Sequence, residues 1–299
     1  MSLNRLVPIA ADVLVSRATW GGSQNFLGAR WIEWIVGNAP RAARRRVALR
    51  VLSLSPHYFY DRDLAAEDDR NRRSRQILAD ELIAPYLTPG ARVVDYGCGP
   101  GYLAAAVARR AAHVDAVDIS RGVLACARVL NGLPNITYQT PAEFRARGGP
   151  ASGGPASGGL ASAGAASAGT ADVACSFAVV QHLRTDALVE LLAQLAAAVR
   201  PAGALLLHFA VAGEQGYRTE GQWLSDGSLA GRAKLRYGLN CFGRSVTEMA
   251  DLVARSGFTD VLVRPLDGSI AIPGDDIQSQ HLLTARRAVA NVPEVLMIT

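Results

Sequence analysis

Two aspartates and three glycines in the middle of the chain have types and spacing that could hold a ligand. The stretch RVVDYGCGPGYLA places Asp95 two residues before the first of three alternating glycines, Gly97, Gly99 and Gly101. Glycine lacks a Cβ and tolerates positive φ, so a ligand could lie against the main chain here. The carboxylate of Asp95 would attract a cation such as an ammonium group and would repel a pyrophosphate.

A second carboxylate, Asp118, stands near the end of the next apolar run, HVDAVDI. A carboxylate at the tip of a strand can accept hydrogen bonds from both hydroxyls of a ribose. Asp95 and Asp118 together therefore predict a site for a nucleoside that carries an amino-acid-like cation and needs no phosphates. S-Adenosylmethionine has that form.

The same glycines leave another class of ligand open. The segment Gly99-Pro-Gly101-Tyr-Leu-Ala104 fits G-x-G-x-x-A, a pattern found in dinucleotide sites. An NAD(P)-dependent oxidoreductase is therefore an alternative, although Asp95 before the glycines argues against it. A protein that binds the cofactor without catalysing a reaction is a further alternative.

Histidines are the candidates for a general base, because an imidazole titrates near neutral pH. His182 is the predicted catalytic base, since it follows the fourth predicted strand at the carboxyl edge, where open α/β sheets bind ligands. The alternative for His182 is that it only caps or packs against the next helix. His57 and His208 are further alternatives, and His208 in LLLHF is more typical of a core histidine.

Composition excludes several classes of protein. The 299 residues are 49% hydrophobic and 19% charged, which is typical of a globular chain, and a formal charge of +5 is weak evidence for nucleic acid binding. The four cysteines form no C-x-x-C pair, so no metal site or disulfide framework is predicted. No signal peptide and no apolar run of about 20 residues is found, so we expect a cytoplasmic protein with reduced thiols.

The elements that must position these residues alternate between strand and helix. Residues 1–88 are predicted to form a helical, arginine-rich extension or lid, and residues 89–299 a single α/β domain. Alternation predicts a doubly wound, mostly parallel sheet with helices on both faces, and the last two strands should form an edge hairpin. The Gly/Ala/Ser-rich repeat at residues 148–169 is predicted to be a disordered loop.

Five segments in this order resemble the motifs of class I S-adenosylmethionine-dependent methyltransferases of the small-molecule type. VVDYGCGPGYLA is similar to the first motif, D-x-G-C-G-x-G, and AVDIS resembles the second. SFAVVQHL, LAAAVRPAGALLLHF and FGRSVTEMADLVARSGFTDVLV resemble the later segments, so that the resemblance covers residues 86–286. It implies a seven-stranded sheet of order 3-2-1-4-5-7-6 with the last strand antiparallel.

The resemblance also implies a set of cofactor contacts. Asp95 would help to hold the methionine ammonium, Asp118 the ribose, and Ile119 would flank the adenine. Phe177, at the end of the fourth strand, would lie near the transferred methyl group. The predicted cofactor-binding residues are Asp95, Gly97, Gly99, Gly101, Asp118, Ile119, Ala142, Glu143 and Phe177.

These features predict methyl transfer to a small molecule, most simply to a hydroxyl of a sugar, glycolipid or secondary metabolite in a bacterium. A nitrogen or carbon acceptor is the alternative within the class. Nucleic acid is disfavoured as a substrate, because Ser176-Phe177-Ala178-Val179 replaces Asn/Asp-Pro-Pro-Tyr/Phe and no Pro-Cys occurs. Peripheral membrane contact is a further alternative, since Trp20, Trp31 and Trp34 precede an arginine run.

Overall fold

The structure is a computed structural model. It describes residues 30–53, 63–148, 169–237, 241–266 and 280–289. His57, Trp20, the side chain of Trp31 and nearly all of the predicted loop at 148–169 lie outside the described residues.

A seven-stranded sheet forms the centre of the molecule, with strand order β3-β2-β1-β4-β5-β7-β6. All neighbouring strands are parallel except at β7, which is antiparallel to both β5 and β6. The predicted fold, including the edge hairpin, is confirmed. The strands are β1 Arg92–Tyr96, β2 His113–Val117, β3 Ile136–Gln139, β4 Ala171–Ser176, β5 Val199–Ala210, β6 Phe258–Pro265 and β7 Gln280–Arg287.

Ten α-helices are described around this sheet. They are α1 Arg30–Asn38, α2 Arg44–Leu52, α3 Leu64–Leu78, α4 Tyr102–Ala108, α5 Arg121–Asn131, α6 Pro141–Gly148, α7 Thr185–Ala198, α8 Glu220–Leu224, α9 Leu229–Tyr237 and α10 Val246–Arg255. A π-helical turn and a 3₁₀ turn continue α3 to Tyr86, and a 3₁₀ turn at Val180–His182 follows β4.

The central strands are apolar on both faces because helices cover both sides of a parallel sheet. On one face a buried cluster joins the end of α3, α4 and α5 to the strands, with Leu82 and Leu103 among its members. On the other face a second cluster joins α7 and α10 to the strands, through residues such as Leu192 and Met249. The strands are thereby fixed, and so is the position of the loops at their carboxyl ends.

The N-terminal helices pack against α5 rather than standing apart from the sheet domain. Ile32 and Val36 of α1 and Leu52 of α2 share a buried cluster with Val123 and Cys126 of α5. The division of the chain at residue 88 stays a prediction.

Side chains cap two helices of the sheet domain, and a third begins differently. Ser120 caps α5, and Ser245 caps α10 by accepting a hydrogen bond from the Glu248 amide. No side chain at the position before α7 caps this helix, because that position is Arg184. The helix begins at Thr185, and the carboxylate of Glu220 accepts hydrogen bonds from the Thr185 N–H at 2.8 Å and hydroxyl at 2.6 Å.

Candidate functional site

The glycine turn follows β1 and folds back against the end of β2. Gly97, Gly99 and Gly101 have φ angles of 82°, 52° and 80°, a region that residues with a Cβ rarely adopt. The amides of Gly97 and Cys98 both donate to the carbonyl of Val117, at 2.7 and 2.9 Å. The turn is therefore a fixed part of the sheet edge.

Packing within the protein explains two of these glycines. A Cβ at Gly97 would overlap with the side chain of Val179, which follows β4. A Cβ at Gly101 would overlap with the Tyr138 hydroxyl, which donates to the Asn131 carbonyl at 2.9 Å. The role of these glycines in holding a cofactor stays a prediction, because their own neighbours already require the missing Cβ.

Asp118 is held rigidly at the tip of β2 by main-chain donors. One carboxylate oxygen accepts from the Gly99 amide at 3.0 Å and the other from the Ser120 amide at 2.8 Å. Burial raises the pKa of Asp118, and these two hydrogen bonds act against that rise. The next residue, Ile119, is 74% exposed, so an apolar surface stands beside the fixed carboxylate.

Asp95 lies in the sheet itself, paired in register with Ala116 on one side and Cys175 on the other. Its side chain is 1% exposed, and Oδ2 has no hydrogen-bond partner among the described residues. Burial, and secondly the charge on Asp118, raise the pKa of Asp95 to about 7, whereas Arg75 of α3 lowers it. A cationic ligand would favour the ionised form of this carboxylate.

Ala142 and Glu143 lie in the first turn of α6. Ala142 is exposed. The carboxylate of Glu143 accepts from the Thr140 amide at 2.8 Å, while the Thr140 hydroxyl accepts from the Glu143 amide at 3.3 Å. The hydrogen bond from the Thr140 amide is the main reason that the pKa of Glu143 is lowered. The visible role of Glu143 is thus to begin α6, and its contact with a cofactor stays a prediction.

Phe177 directly follows β4 and is buried. Its ring is stacked on that of His208 from β5, with centroids 6.0 Å apart and an angle of 19° between the planes. The next residue, Ala178, has a φ of 58° and donates its amide to His208 Nδ1 at 3.1 Å. His208 is therefore a core residue that contacts the segment at the end of β4.

His182 ends the 3₁₀ turn after β4. Because β4 is the parallel neighbour of β1, this turn and the glycine turn lie at the same carboxyl edge of the sheet. His182 is partly exposed, and its Nδ1 lies 3.8 Å from the sulfur of Cys241. The structure thus brings His182 to the edge that carries Asp95 and Asp118, and its role as a base stays a prediction.

Residues that the sequence analysis missed hold the turn that carries His182. Arg244 is 2% exposed, and its guanidinium donates to the carbonyls of Val180 at 3.1 Å and Leu183 at 2.5 Å. The Phe242 amide donates to the Gln181 carbonyl at 2.6 Å. Burial lowers the pKa of Arg244. No local sequence signal marks Arg244, since its partners lie some sixty residues earlier.

The segment between β5 and α10 also reaches this turn. The indole N–H of Trp223 in α8 donates to the Cys241 carbonyl at 3.1 Å, and Cys241 in turn faces His182. Arg218 lies over the Trp223 ring, 5.1 Å from its centroid, and pairs with Asp226 at 2.8 Å. These last three side chains line a cavity on the same segment.

Within the described ranges, no group of three His, Cys, Asp or Glu side chains could hold a metal ion. No helix within those ranges combines the length and the apolar character that crossing a bilayer requires.

Comparison with protein families gives one match. The sequence model of the family described as "Methyltransferase domain" matches residues 66–263, well over half of the chain. The search of curated proteins found no match.

Three enzymes of known structure illustrate what this chain is similar to. Magnesium protoporphyrin IX methyltransferase (ChlM) from Synechocystis PCC 6803 is 19% identical, with 76% of this chain and 89% of that chain covered and a TM-score of 0.46. Mitomycin 7-O-methyltransferase MmcR is 18% identical, with 86% and 60% covered and a TM-score of 0.48. Haemonchus contortus phosphoethanolamine N-methyltransferase 2 is 14% identical, with 73% and 52% covered and a TM-score of 0.47. The match thus spans little more than half of the last two enzymes.

Proposed function

This chain belongs to the methyltransferase-domain family as a class I S-adenosylmethionine-dependent enzyme, and from that premise we propose that it methylates a hydroxyl group of a small molecule. The family match decides against the NAD(P)-dependent oxidoreductase considered above. Bacterial secondary or glycolipid metabolism is our proposed setting, and the cytoplasm the proposed location, in keeping with four free cysteines.

The described residues fit the cofactor. Asp118 offers a carboxylate fixed by two amides, which would accept the ribose hydroxyls, and exposed Ile119 would lie beside the adenine. The unpartnered Oδ2 of Asp95 matches the need for a cation, met by the methionine ammonium directly or through water. Phe177 would lie near the methyl group. When bound, the cofactor supplies a methyl group already activated by its sulfonium.

The protein then has two tasks, alignment and proton removal. Orientation alone can contribute about 7–11 kcal/mol when the reacting atoms are held in line. A hydroxyl is a weak nucleophile, so a base that takes its proton adds roughly 10²–10⁴-fold. We assign proton acceptance to His182 at Nε2, the ring nitrogen that does not face Cys241.

The position of His182 is the observation that carries the hydroxyl assignment. The fold brings His182 to the carboxyl edge beside the glycine turn, where it is partly exposed and lies on a turn held by Arg244. The segment with Trp223 and Arg218 reaches the same turn, and we propose that the acceptor binds between it and the sheet edge. A nitrogen or carbon acceptor is the alternative.

Methyl transfer from labelled cofactor to small molecules that carry hydroxyl, amine or activated carbon positions tests the proposal. We expect the label on oxygen in the product, as determined by NMR. His182→Gln should lower turnover by roughly 10²–10⁴-fold while S-adenosylhomocysteine affinity changes little. Label on nitrogen or carbon would overturn the hydroxyl assignment.

His113→Gln provides a matched control, because His113 begins β2 at the opposite edge of the sheet. It should leave turnover unchanged. Equal rates in wild type and His182→Gln would leave His182 with a packing role only, and cofactor binding without transfer to any acceptor would favour a non-catalytic protein.

A further inference from the structure

A buried histidine in β5 has contacts that neither cofactor binding nor proton transfer explains. His208 is fully buried. Its Nδ1 accepts the Ala178 amide at 3.1 Å, and its ring is stacked on Phe177. Two successive residues after β4 are therefore held by one side chain thirty positions further along the chain.

Ala178 needs such a partner because its backbone is in an unfavourable conformation. Its φ of 58° lies in the left-handed region, where the Cβ of an L-residue crowds the following carbonyl. Isolated residues persist there when surrounding contacts enforce the conformation. The hydrogen bond to His208 Nδ1 is the contact that fixes the Ala178 amide.

The protonation state of His208 follows from these contacts. Burial lowers the pKa of His208 to about 3, so the ring is neutral at any physiological pH. Nδ1 accepts a hydrogen bond, and the proton of the neutral ring is therefore on Nε2. The side chain of Gln280 in β7 is close enough to His208 to act against that lowering of the pKa, and Nε2 has no hydrogen-bond partner among the described residues. His208 is consequently unsuited to act as a base but well suited to act as a fixed acceptor.

The conformation of Ala178 determines where the rest of the turn lies. Val179 comes next and packs over Gly97, and its carbonyl accepts from the His182 amide at 2.8 Å. A rotation at Ala178 would therefore move Phe177, Val179 and the turn that carries His182. No other residue of β5 has an equivalent contact with this segment among the described hydrogen bonds.

We propose that His208 is a positioning residue for methyl transfer, whose neutral Nδ1 holds Ala178 in its left-handed conformation and so places Phe177 and His182 at the site. The inference rests on the proposed roles of those two residues. A role in core packing alone would make the ring important and the acceptor at Nδ1 unimportant.

Two amide substitutions separate the acceptor from the rest of the ring. The side-chain oxygen of His208→Asn can occupy the position of Nδ1, whereas that of His208→Gln extends to the position of Nε2. We expect His208→Asn to retain turnover within about threefold and His208→Gln to lose about tenfold or more, the effect of one hydrogen bond to a strained amide. His208→Phe, which keeps an aromatic ring without an acceptor, should behave like His208→Gln.

Hydrogen exchange at the Ala178 amide provides a readout that needs no acceptor substrate. Exchange should be faster in the Gln and Phe variants than in wild type, and close to wild type in the Asn variant. Failure of the hydroxyl proposal would leave this ordering intact, so the two ideas can fail separately. Equal turnover and exchange in the Asn and Gln variants would overturn the inference.

Ala178→Gly tests whether His208 acts through the conformation of Ala178. Glycine adopts positive φ without a penalty, so this variant should keep turnover within about threefold and tolerate loss of the acceptor better. We expect His208→Phe to cost about tenfold less in turnover when combined with Ala178→Gly than alone. If the fold-changes in turnover caused by the two single substitutions simply multiply in the double variant, His208 does not act through Ala178.

Discussion

The two halves of the carboxyl edge are built in different ways. At the ends of β1 and β2 the glycine turn and Asp118 are held by main-chain donors that are close in sequence or lie on an adjacent strand. At the end of β4 the segment 177–183 is held by side chains from far along the chain, chiefly His208 and Arg244. The two halves meet where Val179 packs over Gly97.

The first half, at the ends of β1 and β2, is the proposed cofactor half, and the second, at the end of β4, carries the proposed base. In this proposal, cofactor binding depends on Asp118 and the glycine turn, which main-chain hydrogen bonds hold in place. The position of His182 depends on individual side chains from β5 and from the end of the segment before α10. We therefore expect damage in the first half to reduce cofactor affinity, and damage in the second to reduce turnover while affinity is kept.

Asp118→Ala should give the largest effect on the cofactor half. It would remove the two charge-assisted hydrogen bonds proposed to hold the ribose, each worth about 1.5–3 kcal/mol, so we expect roughly a hundredfold or greater loss of affinity. Calorimetry with S-adenosylhomocysteine measures this. Asp69→Ala, at an exposed site on α3, is the control and should bind normally. Unchanged affinity in Asp118→Ala would remove this residue from the cofactor site.

Arg244→Met should give the largest effect on the other half. The carbonyls of Val180 and Leu183 would lose a charged donor, and we expect about 3 kcal/mol or more of lost stability with lower turnover. Cofactor affinity in the folded variant should stay near that of wild type. Urea unfolding and single-turnover rates provide the measurements, and Arg255→Met, at an exposed position of α10, is the control. A loss of cofactor affinity as large as the loss of turnover would contradict the division into halves.

Gly97→Ala tests the contact between the halves. Gly97 and Gly90 both have a φ of 82°, but nothing lies within 4 Å of a Cβ built at Gly90. Gly90→Ala should therefore cost only the left-handed penalty of about 1–2 kcal/mol, and Gly97→Ala should cost more because of Val179. Adding Val179→Ala to Gly97→Ala should recover the steric part. Equal costs at the two glycines would mean that Val179 moves aside freely.

Asp95→Asn should change stability in a way that depends on pH. The folded protein keeps a proton on Asp95 up to a pKa of about 7, whereas the unfolded chain loses it near 3.8. The stability associated with this group therefore falls as pH rises through that range. The variant should gain stability relative to wild type between pH 4 and 7 and hold that gain above pH 7. Unfolding curves across pH measure the difference, and a constant offset would disprove the shifted pKa.

The cofactor half could be anticipated from sequence because its determinants are local. The carboxyl ends of β1 and β2 carry Asp95, the three alternating glycines and Asp118. The alternation of strands and helices predicts that both ends lie at the same edge of the sheet. Even there, the sequence did not predict the side chain that packs against Gly97. Nothing near Gly97 in the sequence indicates that Val179, more than eighty positions later, needs the space of its Cβ.

The second half could be anticipated only in part. His182 was predicted from its place after β4, but its partners were not. Arg244 reaches Val180 across 64 positions, and Cys241 reaches His182 across 59. Such contacts depend on how the chain between β5 and α10 returns to the sheet, and neither periodicity nor residue type specifies that path. The sequence favours a core position for His208, which its burial supports, yet its role as a hydrogen-bond acceptor depends on a contact with Ala178, thirty positions earlier.

The shared cluster of α1, α2 and α5 has a practical consequence for work with this enzyme. A shortened version that starts at the predicted boundary would leave the apolar side of α5 facing water, with Val123 and Cys126 uncovered. Exposed patches of this kind promote aggregation. Recombinant fragments intended for crystallisation should therefore retain the helices from Arg30 onward.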